Sequence, residues 1–285
     1  MTSAYCPAHI TCFFRPVHSS DVLSKGSEGA GIRLKAGTLV HAEETHGRTR
    51  VFIDGVESEA KITKLALGYA APGRNFEIHA VNDLPTGQGF GMSAAGAVAA
   101  ALCAAESEGG TREEAFRAAH AADIVGGGGL GDVSGILCEH HQPTRIKAGL
   151  PPIGRAVDSG AEFPVLTVAV LGSKMSTAEV LGNKDICSAL EAEGAAALAE
   201  YKRGMSVDSL FRTSNAFSKA SGVETAEASE AIRRLNAAGI RAAMCMLGNS
   251  IFTDAPMDAV KDVLGEVFAR ETSSTADPAA IIRKA

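Results

Sequence analysis

Alternating apolar positions predict a group of strands in the first third of the chain, because such a pattern buries one face of a strand and exposes the other. These strands are Ala4–Ile10, Leu39–Thr45, Arg50–Ile53 and Asn75–Val81. The segment between the first two, Thr11–Leu34, holds turn-forming residues and the glycine-rich patch Gly26–Gly31, and no strand is predicted there.

Helical spacing of apolar residues is strongest after Pro85. The predicted helices are Ile62–Ala70, Ser93–Ser107, Thr111–Ile124, several segments between Thr177 and Ala238, and Pro256 to about Ala269. Thr111 begins its helix with a capping box, since Glu114 follows three residues later. The run "FPVLTVAVLG" and the segments Ala242–Leu247 and Ile251–Thr253 predict further strands. Strands and helices come in groups instead of alternating regularly, which indicates an α+β fold.

A segment rich in proline and glycine marks the expected domain boundary. It reads "LPPIGRAVDSGA" and runs from Leu150 to Ala161. A chain of 285 residues is long enough for two modest domains. We therefore predict an N-terminal domain over 1–155 and a C-terminal domain over 160–285. Arg155 lies in the linker, within reach of either domain, and the sequence assigns it no role.

Charge and cysteine usage narrow the function classes. The formal net charge is −6 and no Lys/Arg cluster is longer than a pair, which argues against nucleic acid as a partner. The six cysteines are scattered without a C-x-x-C pair, as expected for reduced thiols. No signal-peptide pattern is visible, and the longest apolar run, around Ala94–Ala105, is too short to span a bilayer. A cytoplasmic protein without a membrane partner is expected.

The segment Pro85–Ala95, "PTGQGFGMSAA", is called the glycine hinge here, and three hypotheses explain it. It fits the dinucleotide pattern G-x-G-x-x-A, but a second helix follows where that fold needs a strand and an acidic residue. Close packing of a helix on a sheet explains the glycines and alanines and leaves the hydroxyl of Ser93 unexplained. The third hypothesis is a phosphate site at a helix N-terminus, with amides from Gly89 to Ala94 and a hydroxyl from Ser93 for a phosphate oxygen or Mg²⁺.

Two acidic residues further along the chain favour the phosphate hypothesis. In "HAADIVGGGGLGDVSG", Asp123 ends an alanine-rich helix and Asp132 follows a glycine run that lets the chain fold back. An aspartate after glycines is often only a turn former. Both carboxylates near a phosphate site, however, suit phosphoryl transfer, which needs a metal ligand and a group that orients the attacking hydroxyl. His140 and His141 lack metal-binding partners at ligand spacing, and His9 is either a core histidine or a wall of the acceptor pocket.

The chain resembles the GHMP kinases, the superfamily of galactokinase, homoserine and mevalonate kinases. The glycine hinge fits its signature P-x-x-x-G-[LF]-G-x-S-A-A, and "MCMLGNSIF" looks like the third motif of the superfamily. Within it, "PAHITCFF", "KGSEGAG", "GLGDV" and "MLGNSIF" resemble the archaeal pantoate kinases. The resemblance implies a two-domain fold with the active site in the cleft between the domains, and ATP-dependent phosphorylation of pantoate to 4-phosphopantoate for coenzyme A biosynthesis.

The resemblance also implies roles for single residues. ATP phosphates would contact residues of both halves: Pro85, Gly87, Gly89, Gly91, Met92, Ser93, Ala94, Ala95, Gly248 and Asn249. Mg²⁺ would bind Ser93 and Asp123, and Asp132 would be the catalytic residue. Pantoate would contact Ser27, His120 and Arg145. Two positions depart from the family pattern: Asp123 replaces the usual Glu, which makes the metal role less secure, and Met92 replaces a frequent Ser.

Two alternatives stay open on the sequence. One is another small-molecule GHMP kinase, of the homoserine, shikimate or mevalonate type. The other is a nucleotide-binding homologue without catalysis, against which the joint presence of Ser93, Asp123 and Asp132 argues. Dimers are common in the family, so a homodimer is an assembly to be tested.

Overall fold

The computed structural model describes residues 1–284, and the chain forms two sheets with helices packed on them. The strands of the first sheet are β1 Thr2–Val17, β2 Gly26–Glu44, β3 Arg50–Ile53, β4 Val56–Ser58, β5 Phe76–Asn82, β6 Pro143–Lys147, β7 Arg155–Asp158 and β12 Ala280–Arg283. Those of the second sheet are β8 Leu166–Val170, β9 Ala242–Met244, β10 Ser250–Thr253 and β11 Phe268–Thr272.

The first sheet is built on the long antiparallel pair β1–β2. Its order is β12-β1-β2-β5-β3-β4, with β3 parallel to β5. Strand β6 pairs with β2 at Gly29 and Ala30, and β7 pairs with β6. The second sheet has the order β11-β8-β10-β9 and is antiparallel throughout.

Helix α2 lies at the centre of the N-terminal half. The helices are α1 Lys61–Ala70, α2 Met92–Ser107, α3 Arg112–Gly126, α4 Asp132–Leu137, α5 Thr177–Gly182, α6 Lys184–Tyr201, α7 Val207–Ala220, α8 Ala226–Ala237 and α9 Met257–Leu264. The alanines of α2 are buried, and their small side chains let α1, α3, β1 and β2 all pack against this helix. The predicted capping box of Thr111 and Glu114 is confirmed at the start of α3. None of the helices within residues 1–284 combines the length and apolarity that a membrane crossing requires.

Strand β1 passes through both hydrophobic cores. Its first residues, Ala4 and Cys6, pack in a core with α1, α2 and α3. Its later residues, from Ala8 to Phe14, belong to the other core, which contains the second sheet and α6–α8. The middle of β1 therefore lies where the two cores meet.

Several predicted bounds were wrong. Strand β1 runs on to Val17, and β2 begins at Gly26, so the glycine-rich patch belongs to a strand. Its glycines are needed there because a side chain on Gly29 would collide with the Phe13 carbonyl of β1. The last predicted helix ends at Leu264, since Gly265 leaves the helical conformation at φ +81°, and β11 follows where helix was predicted to Ala269. Strands β4, β6, β7, β11 and β12 were missed.

The predicted division into 1–155 and 160–285 stays a prediction. The first sheet reaches beyond that boundary, because it includes β7 at Arg155–Asp158 and β12 at Ala280–Arg283. The C-terminal strand thus returns to pair with β1.

Candidate active site

The glycine hinge leads directly into α2 through backbone conformations that favour glycine. Gly87, Gly89 and Gly91 have φ angles of +77°, +74° and +65°. Gly91 is the N-cap residue, and no side chain caps the helix. The first backbone bond of α2 runs from the amide of Ala95 to the carbonyl of Gly91. The amides before Ala95 are therefore available to a ligand, as the first turn of a helix always leaves its N–H groups unpaired.

Close packing also explains part of the hinge. A Cβ on Gly89 would lie 2.9 Å from the carbonyl oxygens of Cys245 and Met246, and one on Gly248 would collide with the backbone of Gln88. The hinge and the late turn Met246–Asn249 thus touch backbone to backbone. The dinucleotide hypothesis is wrong, because α3 follows α2 where a parallel strand would be needed.

One cleft joins the hinge, the acidic residues and the late turn. It is lined by Thr11, Phe14, Ser27, Gly87, Gly89, Phe90, Gly91, Met92, Ser93, Ala94, Asp123, Gly128, Gly129, Leu130, Gly131, Asp132, Thr177, Met246 and Leu247. Ser93 is exposed at the second position of α2, and within residues 1–284 its hydroxyl makes no hydrogen bond. Free amides, a free hydroxyl and the positive end of a helix dipole together suit an anion such as phosphate.

Asp123 and Asp132 face the same point of this cleft. A Cβ on Gly129 would lie 2.6 Å from Oδ2 of Asp132 and 3.4 Å from Oδ2 of Asp123. The glycine run 126–129 therefore does what the sequence predicts, folding back so that the two carboxylates converge. Asp123 is only 2% exposed and accepts one hydrogen bond, from the Gly129 amide at 3.1 Å. Burial, and then the charge of Asp132, raise the pKa of Asp123 well above its ordinary value.

Asp132 is the first residue of α4, and β1 holds its carboxylate in place. His9 Nδ1 lies 2.8 Å from Asp132 Oδ1, with the Thr11 hydroxyl 3.5 Å away. The Asp132 side chain remains 21% exposed, and its Oδ2 faces the cleft. One oxygen is thus fixed by the protein and the other is open to a ligand.

The ring of His9 is buried, and its tautomer follows from its neighbours. Arg145 Nη1 lies 3.3 Å from His9 Nε2. Because a guanidinium can only donate, Nε2 accepts and the proton sits on Nδ1, which donates to Asp132. Burial lowers the pKa of His9, so the ring is neutral near pH 7. Gly31 and Gly135 make room for it, since a Cβ at either would collide with the imidazole.

Arg145 lies behind the cleft wall. It is 1% exposed, its Nη2 is 3.5 Å from the hydroxyl of Ser27, and its Nε has no partner within residues 1–284. A Cβ on the cleft residue Gly131 would lie 2.7 Å from Nε. Ser27, Arg145, His9 and Asp132 thus form one connected chain of polar groups beside the cleft.

Other predicted residues lie outside the cleft lining. His120 donates from Nε2 to the carbonyls of Val22 and Lys25, at 3.1 and 3.0 Å, and so anchors the segment before β2. Asn249 accepts from the Thr225 hydroxyl at 2.8 Å. Pro85, Ala95 and Gly248 support the hinge without lining the cleft. The ligand contacts predicted for these five residues stay predictions.

Several contributors were missed or left open by the sequence. Thr11, which bonds Asp132, was missed, as were the lining residues Phe14 and Thr177. Met246 and Leu247 line the cleft in place of the neighbouring Gly248 and Asn249. His9 was left between a core role and a pocket role, and the structure shows it bonded to Asp132. The one available signal in the sequence was that His9, a polar residue, occupies a position of the strand pattern that is expected to be buried.

A second, largely apolar cavity adjoins the hinge. It shares Met92 and Ser93 with the cleft, and its other walls include Val40, Ile53 and Ile62. A flat apolar group linked to phosphates at the α2 N-terminus fits this arrangement.

The donor set is suitable for Mg²⁺ only in company with phosphate. Within residues 1–284 no cluster of three or more His, Cys, Asp or Glu side chains could hold a metal alone. Mg²⁺ typically binds through one or two carboxylates plus substrate phosphates. Asp123, whose burial opposes ionisation unless a cation is close, fits that pattern together with the free hydroxyl of Ser93.

Comparisons with known proteins identify the family of the chain. Residues 58–140 match the family described as GHMP kinases N terminal domain. A pantoate kinase of Thermococcus kodakarensis is 35% identical over 279 residues, which cover 93% of this chain and 92% of the relative. A pantoate kinase of Methanocaldococcus jannaschii is 26% identical over 91% of this chain and 95% of its own length.

Solved structures show the same fold. One described as a phosphotransferase related to the CoA biosynthesis pathway superposes with a TM-score of 0.87 at 31% identity, over 98% of both chains. A mevalonate kinase has a TM-score of 0.62 at 13% identity, over 96% of this chain and 99% of the other, and its likeness concerns the fold alone. The predicted α+β fold of the GHMP type is confirmed.

Proposed function

From the premise that the chain belongs to the pantoate kinases of the GHMP kinase superfamily, we propose that it transfers the γ-phosphoryl group of ATP to the primary hydroxyl of pantoate. The product is 4-phosphopantoate, for coenzyme A biosynthesis in the cytoplasm. One observation carries the proposal: the unpaired amides of α2 and the carboxylates of Asp123 and Asp132 line the same cleft.

ATP binds with its phosphates at the N-terminus of α2. The amides of Met92, Ser93 and Ala94 donate to phosphate oxygens, and the helix dipole favours the negative charge. The adenine ring occupies the apolar cavity that shares Met92 and Ser93 with the cleft. The close backbone contact between the hinge and the turn Met246–Asn249 keeps the site rigid.

Mg²⁺ would be held by Asp123 and the Ser93 hydroxyl together with the ATP phosphates. When bound, it offsets the negative charge that develops on the transferred group. Asp123 has one methylene fewer than the glutamate usual in the family. It reaches the cleft nonetheless, because Gly128 and Gly129 carry no side chains between it and Asp132.

Asp132 orients the attacking hydroxyl with its free Oδ2. His9 holds the other oxygen, so the carboxylate cannot rotate away from the acceptor. Because the ring of His9 is neutral, it donates a hydrogen bond without adding a charge that would weaken Asp132 as a base. Proton transfer to Asp132 completes the reaction as the new O–P bond forms.

The carboxylate of pantoate binds on the Ser27 and Arg145 side of Asp132. The unpartnered Nε of Arg145 and the hydroxyl of Ser27 both lie against Gly131, whose missing side chain leaves the approach open. A guanidinium suits a carboxylate because it can donate two parallel hydrogen bonds. His120 contributes by fixing the backbone of Lys25, two residues before Ser27.

The test is ADP release measured with a panel of acceptors. We expect pantoate to give the highest kcat/KM among pantoate, homoserine, shikimate and mevalonate. A higher value with one of the other alcohols would replace pantoate as the substrate. Binding of ATP without turnover on any acceptor would favour the non-catalytic homologue.

A further inference from the structure

A second cavity, on the far side of Arg145 from the cleft, has a basic lining. It encloses about 200 Å³ and is lined by Ser134, Leu137, Cys138, His140, Arg145, Lys147, Gly149, Pro151, Gly154, Arg155 and Ala156. The lining holds three side chains that are positively charged at neutral pH, Arg145, Lys147 and Arg155, and contains neither Asp nor Glu. At the edge of the cavity, His140 Nδ1 lies 3.7 Å from the carboxylate of Asp158.

The two exposed cations stand directly opposite each other. Lys147 of β6 is the Cα partner of Arg155 of β7 in the antiparallel pair. Like charges in that arrangement repel and destabilise the sheet. Within residues 1–284 neither forms an ion pair with a carboxylate, although the chain has more acidic than basic residues. This repulsion is relieved when an anion lies between them.

Arg145 adds a buried charge to the same cavity. Its guanidinium is 1% exposed, and within the described residues no carboxylate lies within ion-pair distance of it. A buried charge without a counter-ion is costly. Leu137, Pro151 and Ala156 supply apolar surface beside the cations. The lining thus combines positive charge with a small apolar wall.

We propose that this cavity, called the β6–β7 cavity here, binds a small organic anion through Lys147 and Arg155, with the buried charge of Arg145 adding to the positive field of its wall. The ligand class is a phosphate or carboxylate group carrying a short apolar portion. The cavity shares no lining residue with the cleft, and two hydrogen bonds link their walls: Arg145 donates to His9, and the Ser134 hydroxyl donates to the carbonyl of Gly131. The binding of the anion does not depend on the proposed function.

The test is calorimetric titration with inorganic phosphate and, separately, with acetate, each compared with chloride at equal ionic strength. The key variant is Lys147→Ala/Arg155→Ala. Its control is Lys202→Ala/Lys219→Ala, which removes the same charge from exposed positions on the other half of the chain. We expect the Kd for at least one anion to rise about tenfold or more in the first variant, as loss of charge-assisted hydrogen bonds predicts, and to stay unchanged in the control.

The stronger of the two anions identifies the group that the cavity prefers. An unchanged Kd in the Lys147→Ala/Arg155→Ala protein would overturn the proposal, because the anion would then bind elsewhere, for example at the glycine hinge. A second variant, Arg155→Glu, turns the like-charged pair into an ion pair. It should raise Tm without added anion and abolish the rise in Tm that phosphate or acetate gives the unmodified protein. If phosphate or acetate raised the Tm of the Arg155→Glu protein as much as it raises the Tm of the unmodified protein, the proposal would also be overturned.

Discussion

Asp123 and Asp132 are the same residue type, face the same cleft and approach the same glycine, yet their surroundings differ. Asp132 is partly exposed, and His9 holds one of its oxygens at 2.8 Å. Asp123 is 2% exposed and accepts a single amide hydrogen bond. The protein therefore fixes one carboxylate with a side-chain hydrogen bond and leaves the other in surroundings that oppose its ionisation unless a cation is close. The difference supports the proposed roles, in which Asp132 orients the acceptor and Asp123 holds Mg²⁺.

The largest expected effect comes from removing the charge of the positioned carboxylate. Asp132→Asn should lower kcat by roughly 10²-fold or more, the usual order for a general base, while ATP binding stays unchanged. ADP release and ATP titration measure the two effects. Asp262→Asn, at an exposed position on α9, is the control. An Asp132→Asn enzyme with full activity would remove this residue from the mechanism and with it the contrast between the two acids.

Arg145→Ala should act mainly on the acceptor. We expect the KM for pantoate to rise about tenfold or more, because a buried donor to the carboxylate is lost. Arg145→Lys keeps the charge and loses the planar fork, so a KM close to that of the Ala variant would show that geometry matters more than charge. If initial rates gave an unaltered pantoate KM for both variants, Arg145 would have no part in carboxylate recognition.

The glycine hinge and the polar chain behind Asp132 differ in how far the sequence could predict them. The hinge is contiguous, and its function rests on backbone amides and absent side chains, which eleven adjacent residues specify. The convergence of Asp123 and Asp132 was also predicted, since the glycine run lies between them. The pairing of His9 with Asp132 and Arg145 was not predicted. His9 lies more than 120 positions before both residues and meets them only through the packing of β1 against β6 and α4.

Glycine also misled the prediction of where β2 begins. The glycines of Gly26–Gly31 suggested a turn, whereas in the structure Gly29 and Gly31 lie inside β2 and let this strand approach β1 and the ring of His9. Local patterns cannot separate these two uses, since both depend only on the missing side chain. A contact with a distant element decides between them.

His9→Phe removes the donor to Asp132 while keeping a ring of similar shape, and so tests whether His9 positions this carboxylate. We expect kcat to fall about tenfold, the effect of losing one hydrogen bond of about 1.4 kcal/mol in the transition state, with the KM for ATP unchanged. A purely structural role for His9 would lower Tm and leave the kcat of the folded enzyme intact.

The pH dependence gives a second measurement for His9. Burial lowers its pKa in the folded protein, so the unfolded chain takes up the proton first. The stability due to neutral His9 is present above about pH 6.5, the pKa of an unperturbed histidine, and is lost as the pH falls below it. The Tm of the unmodified protein should therefore fall more steeply between pH 7 and 5 than that of His9→Phe.

The smallest expected effect concerns Asp123 and is one of stability. Its pKa is raised in the folded protein, so the unfolded chain loses the proton first. The stability cost is absent below about pH 3.9, where even the unfolded carboxyl is protonated, grows as the pH rises above that value, and is complete above the raised pKa. Asp123→Asn should therefore raise Tm at pH 7 to 8, by roughly 2–4 °C for each kcal/mol gained, and give no increase near pH 4. Asp132→Asn should give no such increase in Tm, because His9 already stabilises that carboxylate.

Saturating Mg²⁺ and ATP should cancel the increase in Tm that Asp123→Asn gives, since a bound cation offsets the charge of Asp123 in the unmodified protein alone. Thermal unfolding at both pH values, with and without Mg²⁺ and ATP, separates these outcomes, and an advantage that persists with both ligands bound would place the metal away from Asp123.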